Sequence, residues 1–329
     1  MSGKRVALLG VLLALIAVPF WMPGIYYINV SSQILIYAIF ALGMIVLVGY
    51  AGLVSLGHAG LFGVACYVTA VVVSSGLGHL AAILIALVVT LASTAVFAAV
   101  SLRATGIGFI MITLALGQIL WGLAYRWISF TNGDNGLNVA SRPAPFGISF
   151  DSPIAFYYAA LAIFLITVVF AAIFASSPFG ASLRGTRDQP RRMNALGYHV
   201  WMIRFYACLF SGLLSGIAGI LFVYYNQFIS PQTLALTASA EVVLMVISGG
   251  TGTLLGPIVG AALVVVMKNI ASAYIEPWNL LLGAIFVAIV IFMPEGLVPG
   301  TVRMWKMAWQ RLRRQSAVPV ASKATEPPA

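Results

Sequence analysis

The chain has 329 residues, of which 62% are hydrophobic and only 7% charged, with a formal net charge of +10. That apolar fraction is far above what a soluble domain can cover, whereas lipid solvates the outer side chains of a membrane protein. The basic excess forms no nucleic-acid face, because Lys and Arg flank apolar runs, the placement that meets an anionic cytoplasmic leaflet.

Apolar runs bounded by glycine, proline or charge occupy residues 6–22, 31–48, 58–75, 80–101, 107–125, 153–175, 201–224, 237–249, 256–275 and 279–293. The expected fold class is therefore an all-α integral membrane protein of about ten transmembrane helices, within a polytopic domain spanning residues 1–300. Lys4 and Arg5 precede the first run, and Pro19-Phe20-Trp21-Met22-Pro23 stands where a cleavage site would be, so the run reads as a retained first span. Residues 126–152 form a turn-rich external loop that separates five runs from five. An odd count per half fits two inverted five-helix halves, with broken or re-entrant segments. The eighth run has about 13 apolar residues, or ~20 Å of helix, against a hydrocarbon core of ~30 Å. It reads either as a half-helix with a broken, cavity-lining end at "SGGTGTLLGP" (248–257), or as a helix lengthened outward through Thr237–Ser239. Past residue 300, Val302, Trp305, Trp309 and Leu312 recur at helical spacing, which fits an interfacial amphipathic helix over 301–314, followed by a disordered tail over 315–329.

With the N-terminus inside, alternation places 49–57, 102–106, 176–200, 250–255 and the C-terminus on the cytoplasmic side. That side then holds 14 of the 17 basic residues, leaving Arg126, Arg142 and Lys268 outside or near it.

The loop "SSPFGASLRGTRDQPRRMNALGYHV" (176–200) carries Arg184, Arg187, Asp188, Arg191 and Arg192. Arg191 to Leu196 can form two helical turns, with Asp188 or Gln189 as cap, Pro190 in the first turn and Gly197 as stop. Two readings stand: a positive-inside topology anchor, or a docking helix for a cytoplasmic partner that includes Ala195, Leu196 and Gly197.

Gly49, Gly52, Gly57, Gly60 and Gly63 crowd the entry to the third run, with Tyr50, Ser55 and His58 among them. A glycine-interrupted apolar segment points to a transport path, so Tyr50, Ser55, Gly57 and His58 are candidates, together with Glu241, Gly249 and Gly250 of the eighth run. His58 also fits a packing or hydrogen-bonding role, and Glu241 also fits a first-turn charge facing the helix dipole. Ser211, Gly212, Ser215, Gly216 and Gly219 make a small-residue packing face. Cys66 and Cys208 lack metal-ligand spacing and read as core residues. No catalytic group, metal site or cofactor motif is expected, and no phosphate-binding G-x-x-x-x-G-K-[ST] is present. An intramembrane enzyme would need His58 and Glu241 as a pair. A self-sufficient carrier or channel would ordinarily hold several intramembrane titratable groups, and six of the seven acidic residues fall in loops or tail. Energy is thus expected from a partner.

Four segments carry a family resemblance: "GYAGLVSLGHAGLFGVACY" (49–67), "FIMITLALGQILWGLAYRWISFTNGDNGL" (109–137), the stretch 177–222 beginning "SPFGASLRGTRDQPRRMNALGYHV", and "AEVVLMVISGGTGTLLGPIVGAAL" (240–263). In this order they resemble the LivM-type permease subunit of branched-chain amino acid ABC importers. The resemblance implies a multi-pass protein of the bacterial inner membrane with both termini cytoplasmic. It also implies a homologous second permease, two cytoplasmic ATPase subunits and a periplasmic or lipid-anchored binding protein as partners, besides membrane lipid. It makes 176–200 the ATPase-coupling loop and implies a small polar solute, branched-chain amino acids first, with urea, short amides or other amino acids as alternatives. Where the family carries acidic residues near 190 and 194, this chain has Pro190 and Asn194.

Overall fold

The computed structural model describes residues 13–21, 24–139, 142–143, 150, 152–274, 278–293 and 296–301. The expected amphipathic helix over 301–314 lies outside them except for Thr301, as does the whole tail over 315–329.

Each of the ten apolar runs holds a helix. These are α1 (13–21 of the described chain), α2 (Ile25–Ile45), α3 (His58–Ser74), α4 (His79–Ser101), α5 (Ile107–Arg126), α7 (Pro153–Ser176), α10 (Val200–Asn226), α11 (Leu236–Gly249), α12 (Leu255–Tyr274) and α13 (Trp278–Phe292). Between them lie the short helices α6 (Ile128–Thr131), α8 (Pro178–Asp188) and α9 (Pro190–Ala195). A two-stranded antiparallel pair joins β1 (Leu137–Asn138) to β2 (Phe228–Ile229). By length and composition, five helical spans among the described residues suffice to cross a membrane: Ile25–Ala51, α4, α5, α7 and α10. α3, α11 and the apolar part of α12 are shorter.

α2 starts six residues before the expected 31, because the polar residues that seemed to bound the run are absorbed by the helix. Ser31 and Ser32 donate to the carbonyls of Tyr27 and Ile28, at 2.8 and 3.0 Å. The expected loop 176–200 is itself mostly helical: Ser177 caps α8 through Gly180 N–H at 3.1 Å, Pro178 opens it, and Leu183 and Thr186 are buried beneath it.

α2 and α10 form the centre. In their most apolar windows 78% and 72% of residues are buried, against 28%, 22% and 33% for α4, α5 and α7, whose outer faces are left for lipid. The small-residue face of α10 explains the close approach. Gly212 and Gly216 abut Thr94 and Thr90 of α4, Gly219 abuts the Phe62 carbonyl of α3, and Ser211 Oγ donates to Gly43 O of α2 at 2.6 Å. Cys66 and Cys208 are buried and unbridged, as core residues.

One chain break shapes the interior. α2 ends in a π-turn (Val46–Ala51), and residues 52–57 lead as coil to α3, whose first residue His58 is fully buried. The starting amides of α3 are therefore satisfied by other helices: Leu56 N–H donates to Thr113 Oγ1 of α5 (3.2 Å) and Ala59 N–H to Ser239 Oγ of α11 (3.0 Å). The contact with Ser239 sets the first turn of α11 level with that of α3.

Segments 49–57, 102–106, 176–200 and 250–255 gather at one end of the bundle. A Cβ on Gly49 would sit 2.6 Å from Thr251 O, Arg187 reaches Gly49, and Leu102 and Thr105 share a cavity with Pro190, Asn194 and Arg204. At the other end, Arg142 donates to Tyr224 O (2.9 Å) and Tyr225 O (3.0 Å), joining the segment that follows β1 to the last turn of α10.

Gly219 and Gly122 test the packing. An added Cβ at Gly219 drives into a backbone carbonyl, whereas at Gly122 it meets nothing within 4 Å. Gly219→Ala should lower thermal stability in detergent by about 1–3 kcal/mol, while Gly122→Ala should be neutral or stabilising by up to ~1 kcal/mol from helix propensity. A fluorescence-detected melting curve of each variant checks this.

Candidate functional site

Three places in the bundle collect the polar residues of an otherwise apolar chain. The first is a cavity of 310 Å³ between α2, α3, α10, α11, α12 and the turn Pro231–Leu234, called the outer cavity for its place toward the Arg142 end of the bundle. Tyr37, Phe40, Phe62 and Phe222 form one wall, in a chain of ring contacts: Tyr37–Phe222 at 6.1 Å, Phe62–Phe222 at 5.2 Å and Phe40–Phe62 at 4.6 Å. Gln232, Thr233, Thr237 and Ala238 line another side. Glu241 and Lys268 complete it, with Lys268 Nζ donating to both carboxylate oxygens at 3.1 and 3.2 Å. Their side chains are 15% and 34% exposed respectively. Two charges this sheltered persist because they neutralise one another.

Glu241 is thus not a first-turn helix-end charge. α11 begins at Leu236, which places Glu241 in the second turn, and its partner comes from α12. Lys268 was missed by the sequence reading, which counted it with the outer basic residues. The available signal was a lysine within an uncharged apolar helix, a placement that calls for a partner. For Tyr37 and Phe222 there was no signal, since aromatic residues within apolar runs are ordinary core.

Beneath the aromatic wall lies the second place. His58 stacks on Phe40 at 5.3 Å, and its Nε2 is 2.7 Å from Ser215 Oγ. Ser215 Oγ is also 3.0 Å from Ser211 O, so one hydroxyl joins the His58 ring to the preceding turn of α10. His58 Nδ1 is buried without a hydrogen-bond partner. A small pocket here brings together Ser55, His58, Thr94, Ser101 and Thr113. Phe40 lines the outer cavity as well as touching His58, but His58 does not line that cavity, so no His58–Glu241 pair forms.

The third place is at the end of the bundle where 49–57, 102–106, 176–200 and 250–255 gather, called the inner end. Arg187 Nη1 donates to Gly49 O on the π-turn of α2, and its stem lies against Gly52, whose φ of +70° and crowding at 2.9 Å leave no room for a side chain. Arg184 donates to Ala175 O (2.9 Å) and stands 5.6 Å over the Tyr50 ring. Arg204 of α10 donates to Thr186 O at 2.7 Å. α8 is thereby fastened to both central helices. α9 follows, ending in a Schellman closure: Gly197 N–H to Asn194 O, Tyr198 N–H to Met193 O, both 3.0 Å, with Gly197 at φ +85°. Arg191, Arg192, Ala195 and Leu196 of this turn are exposed, Leu196 by 72%. Gln189 occupies the N-cap position of α9 without a side-chain hydrogen bond, and Asp188 belongs to α8, 3.7 Å from Arg187.

The expected path residues therefore divide. Glu241 lines the outer cavity, Ser55 and His58 the small inner pocket, and Tyr50 the arginine contacts. Gly57, Gly249 and Gly250 are points of backbone contact. Gly57 meets Thr113 O, and Gly249 and Gly250 meet Gly256 and Gly296. Thr237, Ala238 and Glu241, near the start of α11, line a cavity, while Gly249 and Gly250 at its other end are packed against backbone.

The His58–Ser215 bond has a measurable consequence. Ser215→Ala leaves the buried His58 Nε2 without its partner and should cost about 1–3 kcal/mol, read as a lowered melting temperature in detergent. Ser215→Thr, which keeps the hydroxyl, should lose less.

Residues 26–290 match the family described as branched-chain amino acid transport system / permease component. The high-affinity branched-chain amino acid transport system permease protein LivM of Salmonella typhimurium is 27% identical over 322 residues, covering 91% of this chain and 76% of that protein. LivM of Escherichia coli is equally similar, at 27% over 322 residues. The autoinducer 2 import system permease protein LsrC of Yersinia enterocolitica is 32% identical over 175 residues, 51% of this chain and 46% of that protein. No solved structure matches the chain. A match that runs from the first turn of α2 into α13 shows the family: this chain is a member of the permease components of branched-chain amino acid transport systems.

Proposed function

We propose that this chain is the membrane permease subunit of an ABC importer, moving a small polar solute, branched-chain amino acids first, across the bacterial inner membrane. Its partners in this reading are a homologous second permease, two cytoplasmic ATPase subunits and a periplasmic or lipid-anchored binding protein. All ten apolar helices cross or enter the membrane, in two five-helix halves, with both termini and the α8–α9 hairpin on the cytoplasmic side. Arg184 and Arg187 act within the permease, Arg191, Arg192, Ala195 and Leu196 face the ATPase, and Asp188 and Gly197 shape the hairpin between them. Tyr50, Ser55, Gly57, His58, Gly249 and Gly250 belong to the closed inner part of the path, below Glu241.

The observation that carries this reading is the clamp of α8 onto the π-turn of α2 through Arg187 and Gly49. An exposed helix turn fastened to a central helix is a lever. Force applied at α9 reaches α2 through Arg187 and α10 through Thr186 and Arg204, and residues 52–57 carry it on to the buried start of α3. A loop that only anchored topology has no need of that connection. The similarity to LsrC over half the chain keeps an autoinducer-type solute as a second reading.

Orientation is tested by labelling. Leu196→Cys should react with a membrane-impermeant maleimide only after permeabilisation, and Gly76→Cys in intact cells. Cys66 and Cys208 are buried and stay silent. Labelling of residue 196 from outside contradicts the scheme.

The lever is tested by separating its ends. Arg191→Glu with Arg192→Glu and Leu196→Asp should leave the permease inserted while ATPase co-purification falls at least tenfold, since interface energy concentrates in few residues. Arg187→Ala should keep ATPase binding and lose ATP-dependent uptake. Full ATPase binding by the triple variant would remove the docking role.

A further inference from the structure

Resting on the orientation proposed above, which sets the inner end at the cytoplasmic face, we infer that this end holds a site for an anionic phospholipid of the inner leaflet. The headgroup enters a cavity of 460 Å³ between the turn after α4, helix α9 and the start of α10. That volume lies within the ~300–1,000 Å³ typical of small-molecule sites.

The polar side chains that line it are neutral or basic: Thr105, Asn194, His199 and Arg204. Arg204 carries the charge. Its Nη2 donates to Thr186 O at 2.7 Å, while its Nε is buried with no hydrogen-bond partner. No carboxylate pairs with it among the described residues, and Asp188 of the same hairpin is paired with Arg187 at 3.7 Å. A half-buried guanidinium without a counter-charge is unfavourable, and an entering anion removes that penalty. The start of α10 adds the same sign, because its N-cap, His199, and its first three residues line the cavity and no side chain caps it.

The neighbouring apolar side chains select a lipid as the source of that anion. Trp201 and Met202 line the cavity yet are 45% and 48% exposed, at the start of a helix long and apolar enough to cross a membrane. Ile107, the first residue of α5, is 73% exposed. Tryptophan beside basic residues suits the membrane–water interface, and basic pockets between membrane helices on the cytoplasmic side suit anionic headgroups. A water-borne acidic partner would have to pass the first turn of that helix to meet Arg204, its fifth residue. Since Pro190 and Asn194 belong to α9, a bound lipid holds the hairpin to the bilayer.

Glutamate at the exposed Thr105 and His199 tests the charge without touching the bond from Arg204 to Thr186. The full chain is purified in detergent, delipidated and titrated with phosphatidylglycerol or phosphatidylcholine, and bound lipid is counted by native mass spectrometry. The wild type should hold one phosphatidylglycerol at least tenfold more tightly than phosphatidylcholine. Thr105→Glu and His199→Glu should each remove that preference while keeping the melting temperature. Arg204→Lys should retain it and Arg204→Gln lose it. Equal affinity of the wild type for the two lipids, or a wild-type preference in both glutamate variants, overturns the inference. So does displacement of the lipid by inorganic phosphate at equal concentration, which makes the cavity a free-anion site. Loss of ATPase co-purification by glutamate variants that keep the lipid preference gives the cavity to the ATPase and also overturns it. Lipid binding is read without ATPase subunits, so its failure leaves the importer reading standing. Labelling of residue 196 from outside sinks the orientation instead, and the choice of leaflet with it.

Discussion

The structure depends on one constraint: a helix that begins inside an apolar bundle must find partners for its first amides within the protein. α3 begins at the fully buried His58, and neighbouring helices supply those partners, Thr113 from α5 and Ser239 from α11. These bonds fix where α5 and α11 sit against α3. They also explain why the coil 52–57 can leave the π-turn of α2 and run inward. At this level Ser211 bonds Gly43, Ser215 bonds Ser211 and His58 bonds Ser215, each pair joining buried groups.

That commitment makes the middle of the bundle stiff and leaves two places for change. Above it, the ion pair of Glu241 and Lys268 is the only one among the described residues that closes a cavity. Below it, the arginines of α8 hold carbonyls at chain ends, Gly49 at the π-turn and Ala175 near the end of α7. Phe40 stands between the levels, touching His58 with one face and lining the outer cavity. A rearrangement at the inner end thus has a short mechanical route to the outer one, through residues 52–57 and the first turn of α3.

Helix positions were legible in the sequence because lipid-exposed and buried helix faces are both apolar here, so unbroken hydrophobic runs mark them without any need for periodicity. The two boundaries that moved did so for local reasons. Ser31 and Ser32 satisfy their hydroxyls on the preceding turn of α2, and α8 folds from a polar stretch because Ser177 caps it and Leu183 anchors it. The Gly197 stop was readable, since a glycine after a short polar helix fills a left-handed position. The partner of Glu241 was not, because 27 residues and a helix turn-back separate it from Lys268. Nor was the packed state of Gly249 and Gly250, because glycine permits both a broken cavity-lining backbone and a close helix crossing.

By itself, then, the sequence determined that the chain is apolar and helical, where its helices run, which segments share an end of the bundle, and which family it belongs to. Those properties follow from composition, charge placement and local turn chemistry, which act over a few residues or along one helix. Tertiary structure decided which polar residues meet: Lys268 with Glu241, His58 with Ser215, Arg187 with Gly49. Each of those pairs joins different helices, and in an apolar medium a polar group takes whichever partner the packing brings within reach. Helix packing here is set by small residues and by backbone approach at single glycines, a matter of contact between distant segments that no stretch of the chain carries alone.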